Sequence, residues 1–365
     1  MILETNTFPN FIEMTSLKRL VAFGATVFMQ VIAENYKELN LDSKVDYVVD
    51  NDPKKDGTGY ELCGVVKTVH ALDYLLKDNL NEIALLIGSD GYALEMVRQL
   101  QEIEALKQVP CFLLPIMIMD RVDDTCDGVA WPKEARIPRI IHCFWFSDDE
   151  KDELTKRCID SWRRFCPDFE IKEWNSHNYD YTKNPYMYEA YKARKWAYVT
   201  DYARLDAVYE YGGFYFDMDL ELTRGIDQLL GYEFVTGFGP IRDVELAAFG
   251  AAKGSDMVAK MLALYDGKMF VAGSSLTLKD VQPILMDKFM EGLGFEIDGR
   301  YQNRDGVAIL PRDVFSPRNW FTGEVEVLDS SFGVHHCAGG WVDKQAQVKR
   351  KEALKELKEL ARKLP

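Results

Sequence analysis

AYVTDYARLDAVYEYGGFYFDMDLEL, Ala197 to Leu222, changes its period halfway along, and the change predicts a helix, a glycine turn and a strand in succession. Tyr198, Tyr202, Leu205, Val208 and Tyr209 recur at spacings of three and four, which fits one buried helix face. Thr200 or Asp201 is placed to cap the start of that helix. Gly212 suits the left-handed position just past a helix end, and Gly213 lets the backbone reverse into the next element. From there the period is two. Phe214, Phe216, Met218 and Leu220 point to one face of a strand, and Tyr215, Asp217, Asp219 and Glu221 to the other. The apolar set faces a core; the acids face something polar.

Same-face neighbours on a strand lie about 6.5 to 7 Å apart, so Asp217 and Asp219 would repel each other without a cation near both. Carboxylates of this kind suit magnesium or manganese, particularly where a diphosphate completes the shell. Asp201 and Arg204, three residues apart, share a helix face and can reach toward the same place. A D-x-D triplet alone is weak in an acidic chain, where an exposed acidic strand is the plainer reading. The buried strand preceded by two glycines is what favours a metal site.

At 365 residues the chain is long for one core and is expected to form two domains. A hydrophobic content of 47% with 28% charged residues describes a soluble globular protein. The net charge of −15 argues against nucleic-acid binding, because a phosphate backbone would be repelled. The seven cysteines are odd in number and scattered without a CxxC spacing, which fits reduced thiols in the cytoplasm. No basic segment runs into an apolar leader, and no stretch reaches the roughly 18 apolar residues of a membrane span. A cytoplasmic setting is therefore expected, peripheral to the inner face of a membrane if the tail contacts lipid.

Residues 1–130 alternate in period. Lys18 to Gly24 reads as a strand entering a glycine turn, and Thr26 to Leu39 as a helix. Val45 to Val49 is a second strand, Val69 to Leu76 a helix, Ile83 to Ile87 a strand, Tyr92 to Glu104 a helix and Cys111 to Leu114 a strand. Such alternation predicts a doubly wound, Rossmann-like parallel α/β domain. Gly24 with Asp50 is only part of a dinucleotide fingerprint, since no GxGxxG is present. Gly88 and Gly91 could shape an anion-binding turn, although strand-to-helix turns use glycine for geometry alone. The role of this domain stays open.

The motifs of the remainder carry a resemblance. TDYARL and YGGFYFDMD resemble the (S/T)D-x-x-R and GG-x-Y-x-D-x-D signatures of glycosyltransferase family 32, the DXD sugar transferases of capsular-polysaccharide type. They are also similar to the catalytic domain of the large clostridial glucosylating toxins. IPRIIHCFW resembles that family's opening strand, CPDFEIKEWN its second strand, LAAFGAAKGSD an N-G-F-I-G-A-x-K-G-H-P stretch, and HHCAGGW its closing HH-x-x-x-S-W. Leu246 stands where asparagine is often found, Gly340 replaces the serine, and Gly273 to Thr277 departs from G-P-x-x-x-T.

The resemblance spans Ile137 to Trp341. It implies a GT-A catalytic domain over residues 135–345; beyond it, the residue pattern itself predicts an amphipathic helix at 346–365. The resemblance also implies transfer of a hexose from a nucleotide sugar, a UDP-sugar first, to a glycan hydroxyl, with Mn2+ or Mg2+ and with retention at the anomeric carbon. In that scheme Asp217 and Asp219 hold the cation, with His336 as third ligand and His335 as its alternative. Asp201 and Arg204 contact the sugar or a phosphate oxygen, Trp145 stacks on the base, and Trp341 covers the donor. Asn175 ends the second strand where base or ribose contacts are expected, and the tyrosine-rich stretch Tyr179 to Tyr191 reads equally as a helical lid or sugar platform or as packing. The tail presents Ala353, Leu354, Leu357, Leu360, Ala361 and Leu364 on one stripe, fit for docking on its own domain or for a membrane surface holding a lipid-linked acceptor. A non-catalytic nucleotide-sugar sensor or scaffold, and an effector that glycosylates a protein, are the competing readings.

Overall fold

The aromatic run after Gly213 becomes a strand because both of its faces are covered. The computed structural model of the chain describes residues 1–119, 126, 129–147, 149–271, 282–319, 323–338, 348–349, 352–357 and 359. Gly273 to Thr277, Gly340, Trp341 and the last leucines of the tail lie outside the described residues. The chain divides into two compact units: Met1–Val122 with Asn319–Gly323 and Val342–Pro365, and Asp123–Arg318 with Glu324–Trp341.

The first unit is built on seven strands: β1 (Ile2–Leu3), β2 (Arg19–Phe23), β3 (Val45–Asp50), β4 (Gly59–Leu62), β5 (Val65–Ala71), β6 (Ile83–Ile87) and β7 (Pro110–Leu113). Their order is β1-β7-β6-β2-β3-β5-β4, parallel throughout except for the β4–β5 hairpin. This is the Rossmann-like α/β arrangement the alternation predicts. One element differs: Val69 is in β5, and a 3-10 helix follows at Leu72–Lys77, where a helix was expected over Val69 to Leu76. The β-branched stretch VVKTV favours the extended chain, and pairing with both β3 and β4 fixes it there. Asp50, the end of β3, accepts from the Ala25 and Asp52 backbone N–H groups at 2.8 Å each, and the Lys55 ammonium lies at 2.9 Å. Leu354 and Leu357 of the tail are buried, and Arg98 Nη2 meets Glu356 Oε1 at 2.5 Å within this unit.

The second unit holds a mixed sheet of β8 (Ile140–Phe144), β9 (Glu170–Trp174), β10 (Gly213–Phe216), β12 (Phe234–Phe238), β13 (Val244–Ala251), β14 (Gln302–Arg304) and β15 (Val307–Leu310). The order is β14-β15-β12-β13-β10-β8-β9. β13 runs antiparallel between β10 and β12, while β10, β8 and β9 run parallel. This is a mixed α/β sheet, the class expected of residues 135–345. A small second sheet pairs β11 (Leu220–Leu222) with β16 (Gly333–His335), Leu220 opposite His335.

Ile141, Cys143, Phe214 and Phe216 pack into the core on one face of the main sheet, with the fully buried Trp162 of the Glu153–Phe165 helix. Phe144, Tyr215 and Phe249 pack on the other face, under the Trp196–Tyr211 helix. Sheets covered on both sides read as apolar runs, so Tyr215 is buried although the alternation sets it with the acids.

Two local expectations are corrected. The helix begins at Trp196 after Lys195, which makes no side-chain cap, so Thr200 and Asp201 lie one turn inside. The strand also does not continue through the acids. β10 stops at Phe216, Leu220 N–H donates to Asp217 O at 2.9 Å across a turn, and β11 leaves for the second sheet. The break follows from the pairing, since the chain leaves β13 after Asp217 N–H donates to Ala247 O at 2.8 Å and finds a new partner in β16.

Candidate active site

The turn Asp217–Met218–Asp219 lies between two sheets, at the edge where β8 and β10 end and β13 begins. Asp217 follows β10, so it reaches this edge from one direction. Glu245, near the start of antiparallel β13, reaches it from the other, two residues beyond the position that faces Asp217. The second sheet brings His335, opposite Leu220, to the same place.

Asp217, Asp219 and His335 each offer a ligand atom within 4.8 Å of the others. His335 Nε2 stands 3.4 Å from Asp219 Oδ1 and 3.9 Å from Asp217 Oδ2, and its Nδ1 is 2.7 Å from Glu245 Oε1. Asp219 Oδ2 accepts from Ala338 N–H at 2.7 Å, and Tyr215 O–H donates to Asp217 Oδ1. Two carboxylates and an imidazole form a hard and borderline donor set of the kind that can hold a divalent cation.

His336, the first choice from the resemblance, faces elsewhere: its Nε2 is 2.8 Å from Glu221 Oε2 and 3.5 Å from Arg157 Nη2. Neighbours in an extended segment project to opposite sides. The pairing of β16 with β11 turns His335, the alternative, inward.

Arg204 lies beneath these groups. Its Nε donates to Thr200 O at 3.0 Å, Nη1 to Leu246 O at 3.0 Å and Nη2 to Thr200 Oγ1 at 3.2 Å. The guanidinium also stands 3.5 Å from both Asp201 Oδ1 and Asp217 Oδ1, with its centre 4.7 Å from the Tyr215 ring. The side chain is 7% exposed and its donors are engaged by Thr200, Leu246 and the two carboxylates, so it braces Asp201 and Asp217. Leu246, at the position where asparagine is often found, supplies only its backbone carbonyl to this arrangement.

Burial raises the Asp201 carboxyl to about 6; Arg204 opposes the rise and Asp217 adds to it. Burial also raises Asp217, against the pull of Arg204. At Asp219 burial is overridden by the His335 charge and by the Ala338 N–H, which hold the carboxyl well below its usual range. Burial alone would favour a neutral His335, yet Cys337, Glu245 and Asp219 raise it well above an ordinary histidine. Four acids, Asp201, Asp217, Asp219 and Glu245, thus face one arginine and one histidine at this edge.

Trp145 follows β8 at the same edge; its Nε1 donates to Asp149 O at 3.0 Å and Lys151 Nζ stands 5.5 Å from the ring centre. Asn175 is used in a turn, with its Oδ1 accepting from His177 N–H at 2.9 Å. In the tyrosine-rich stretch Tyr179 is core, its hydroxyl donating to Asp206 at 2.6 Å, while Tyr181 and Tyr191 stack at 3.7 Å between centres beside the Pro185–Lys192 helix. Glu245 is the site residue that sequence reasoning missed. Its place depends on the register of β13 against β10, which no local pattern announces.

Residues 152–235 match the family model described as the glycosyltransferase sugar-binding region containing DXD motif. That stretch carries Asp201, Arg204, Asp217 and Asp219. Over 120 residues the chain is 29% identical to inositol phosphoceramide mannosyltransferase 3 of Schizosaccharomyces pombe, covering 31% of this chain and 33% of that protein. Over 121 residues it is 29% identical to inositol phosphoceramide mannosyltransferase 1 of the same organism, covering 30% and 36%. The chain thus spans about a third of the length of these curated relatives. Among solved structures it is similar to a PaToxG glycosyltransferase, at 17% identity and a TM-score of 0.35 over 45% of this chain and 72% of that one.

Proposed function

We propose that the chain is a glycosyltransferase that moves a hexose from a nucleotide sugar, a UDP-sugar first, to a glycan hydroxyl, with retention and with a divalent cation. The observation that carries this reading is the convergence of Asp217, Asp219 and His335 at one sheet edge, with Asp201 held beside Asp217 by Arg204. The match of residues 152–235 to a sugar-binding DXD region supports it independently. The mannosyltransferase names of the curated relatives favour a hexose, and their inositol phosphoceramide a lipid-linked acceptor.

When bound, the cation offsets charge developing on the departing nucleoside diphosphate. Asp217, Asp219 and His335 hold it, and Tyr215 and Arg204 fix Asp217. Asp201, its carboxyl 13% exposed, accepts hydrogen bonds from sugar hydroxyls. Trp145, at the same edge, stacks on the base, a contact worth on the order of 1 to 3 kcal/mol. Retention asks for no strong general base.

The test is a panel of UDP-, GDP- and other nucleotide sugars with Mn2+, Mg2+ or chelator, read by thermal shift and by nucleotide release. One donor should give metal-dependent stabilisation and slow hydrolysis, and the Asp217→Ala/Asp219→Ala chain should lose at least about a hundredfold of the release rate. Binding without release would favour the sensor reading. Release at the normal rate from the double variant, or in chelator, would remove the cation from the reaction.

A further inference from the structure

Glu245 and Ser316 lie outside every motif of the family resemblance, yet they complete a chain of contacts that ends at the DXD turn. Ser316 Oγ donates to Glu245 Oε2 at 2.5 Å, and Glu245 Oε1 stands 2.7 Å from His335 Nδ1. The opposite ring nitrogen, Nε2, faces Asp219 and Asp217. The Glu245 side chain is 16% exposed and that of His335 12%, so water competes little for either.

An imidazole can present a bare Nε2 to a cation only if its remaining proton sits on Nδ1. A carboxylate fixed at hydrogen-bond distance from Nδ1 enforces that tautomer, sets the ring plane and raises the basicity of the other nitrogen. Glu245 is itself fixed, by Ser316 and by its place near the start of β13, a rigid strand between two others.

We propose that Glu245, steadied by Ser316, is a positioning residue that holds His335 with its proton on Nδ1 and its Nε2 aimed at the cation shared with Asp217 and Asp219. The inference rests on the cation site proposed above. It adds to the DXD turn a carboxylate from a different strand that does not touch the cation.

Cys337 supplies the competing use of the same nitrogen. Its Sγ is 3.5 Å from His335 Nδ1, and Glu245, His335 and Cys337 each offer a ligand atom within 4.8 Å of the others. If that trio took a metal, Nδ1 would be a ligand instead of a hydrogen-bond donor.

The experiment is a titration of the full chain with Mn2+, free ion being read by electron paramagnetic resonance, in wild type, Asp217→Asn, Glu245→Gln, Glu245→Leu and Ser316→Ala. Glu245→Leu is expected to weaken Mn2+ binding about 10- to 100-fold. Glu245→Gln, which still accepts from Nδ1–H, should recover most of the affinity, a rescue that a purely structural role would not show. Should Glu245→Leu fail to fold, Ser316→Ala carries the test, with an expected weakening of about two- to tenfold from one lost hydrogen bond. Affinities within twofold of wild type in every Glu245 and Ser316 variant that folds, with Asp217→Asn abolishing binding, would overturn the positioning role and leave the cation site standing. Unchanged binding in Asp217→Asn would overturn the cation site itself. A cobalt–thiolate charge-transfer band on adding Co2+, absent in Cys337→Ser, would also overturn the proposal, because Nδ1 would then serve the Cys337 trio.

Discussion

His142 shows how much a single side chain settles in this fold. It is fully buried in β8, its Nε2–H donates to Gly212 O at 2.8 Å, and its Nδ1 accepts from Trp174 Nε1–H at 3.0 Å. The Nδ1 contact needs the neutral ring, and burial, against the pull of the Gly212 carbonyl, lowers its pKa to about 4. The unfolded chain binds this proton near pH 6.5, so stability is full above that value and falls as the pH drops toward 4. The loss is on the order of 3 kcal/mol below that window. Urea midpoints of wild type and His142→Gln, measured from pH 7 to 4, should converge, because glutamine offers a donor and an acceptor without a titration; parallel curves would refute the account. The sequence marks this histidine within IIHCFW but not its partners. At the DXD turn the same limit applies. Asp201, Arg204, Asp217 and Asp219 are legible from local spacing, whereas choosing His335 over His336 requires the pairing of β16.

At the scale of elements, the turn from helix to β10 leaves the chain little freedom. Gly213 has φ +106°, and a Cβ there would stand 2.6 Å from Ile140 O, a backbone atom that cannot move aside. Gly254 has φ +70° with nothing within 4 Å. Alanine at Gly254 should cost only the left-handed conformation, about 1 to 2 kcal/mol. At Gly213 it should cost at least about 2 kcal/mol more, as β8 and β10 are forced apart. Equal losses in chemical denaturation would show that close approach is not what the glycine serves. The change from period 3.6 to period 2 makes this turn readable in advance. The end of β10 at Phe216 is not readable, because alternation persists through Glu221 while the hydrogen-bonding partner changes from β13 to β16. The β5 segment is the opposite case, in which a helical reading of Val69 to Leu76 yields to sheet pairing available only in the folded unit.

For the whole molecule, the relevant fact is that the first unit is assembled from distant parts of the chain, with Leu354 and Leu357 buried in its closing helix. That burial uses two leucines of the stripe that a lipid surface would need, so the structure lends the membrane reading of the tail no support. Among the described residues no helix is long and apolar enough to cross a membrane. A chain ending at Trp341 should lose about 3 kcal/mol or more from the first unit, the burial of two leucines. Hydrogen exchange on β2, β3 and β6 amides would report that loss, while Mn2+ affinity should be unchanged. Protection equal to that of the full chain would refute a structural role for the tail.

The same discontinuity sets a timetable for synthesis. A ribosome that has passed Val122 must add some 220 residues before it reaches Val342, where the last segment of this unit begins, roughly ten to forty seconds at ordinary elongation rates. During that interval the parallel sheet waits with the seat of Leu354 and Leu357 uncovered, while the DXD unit emerges and can fold. The part of the chain made first is therefore finished last, and the surface that Leu354 and Leu357 will cover is open to a nascent-chain chaperone throughout that interval.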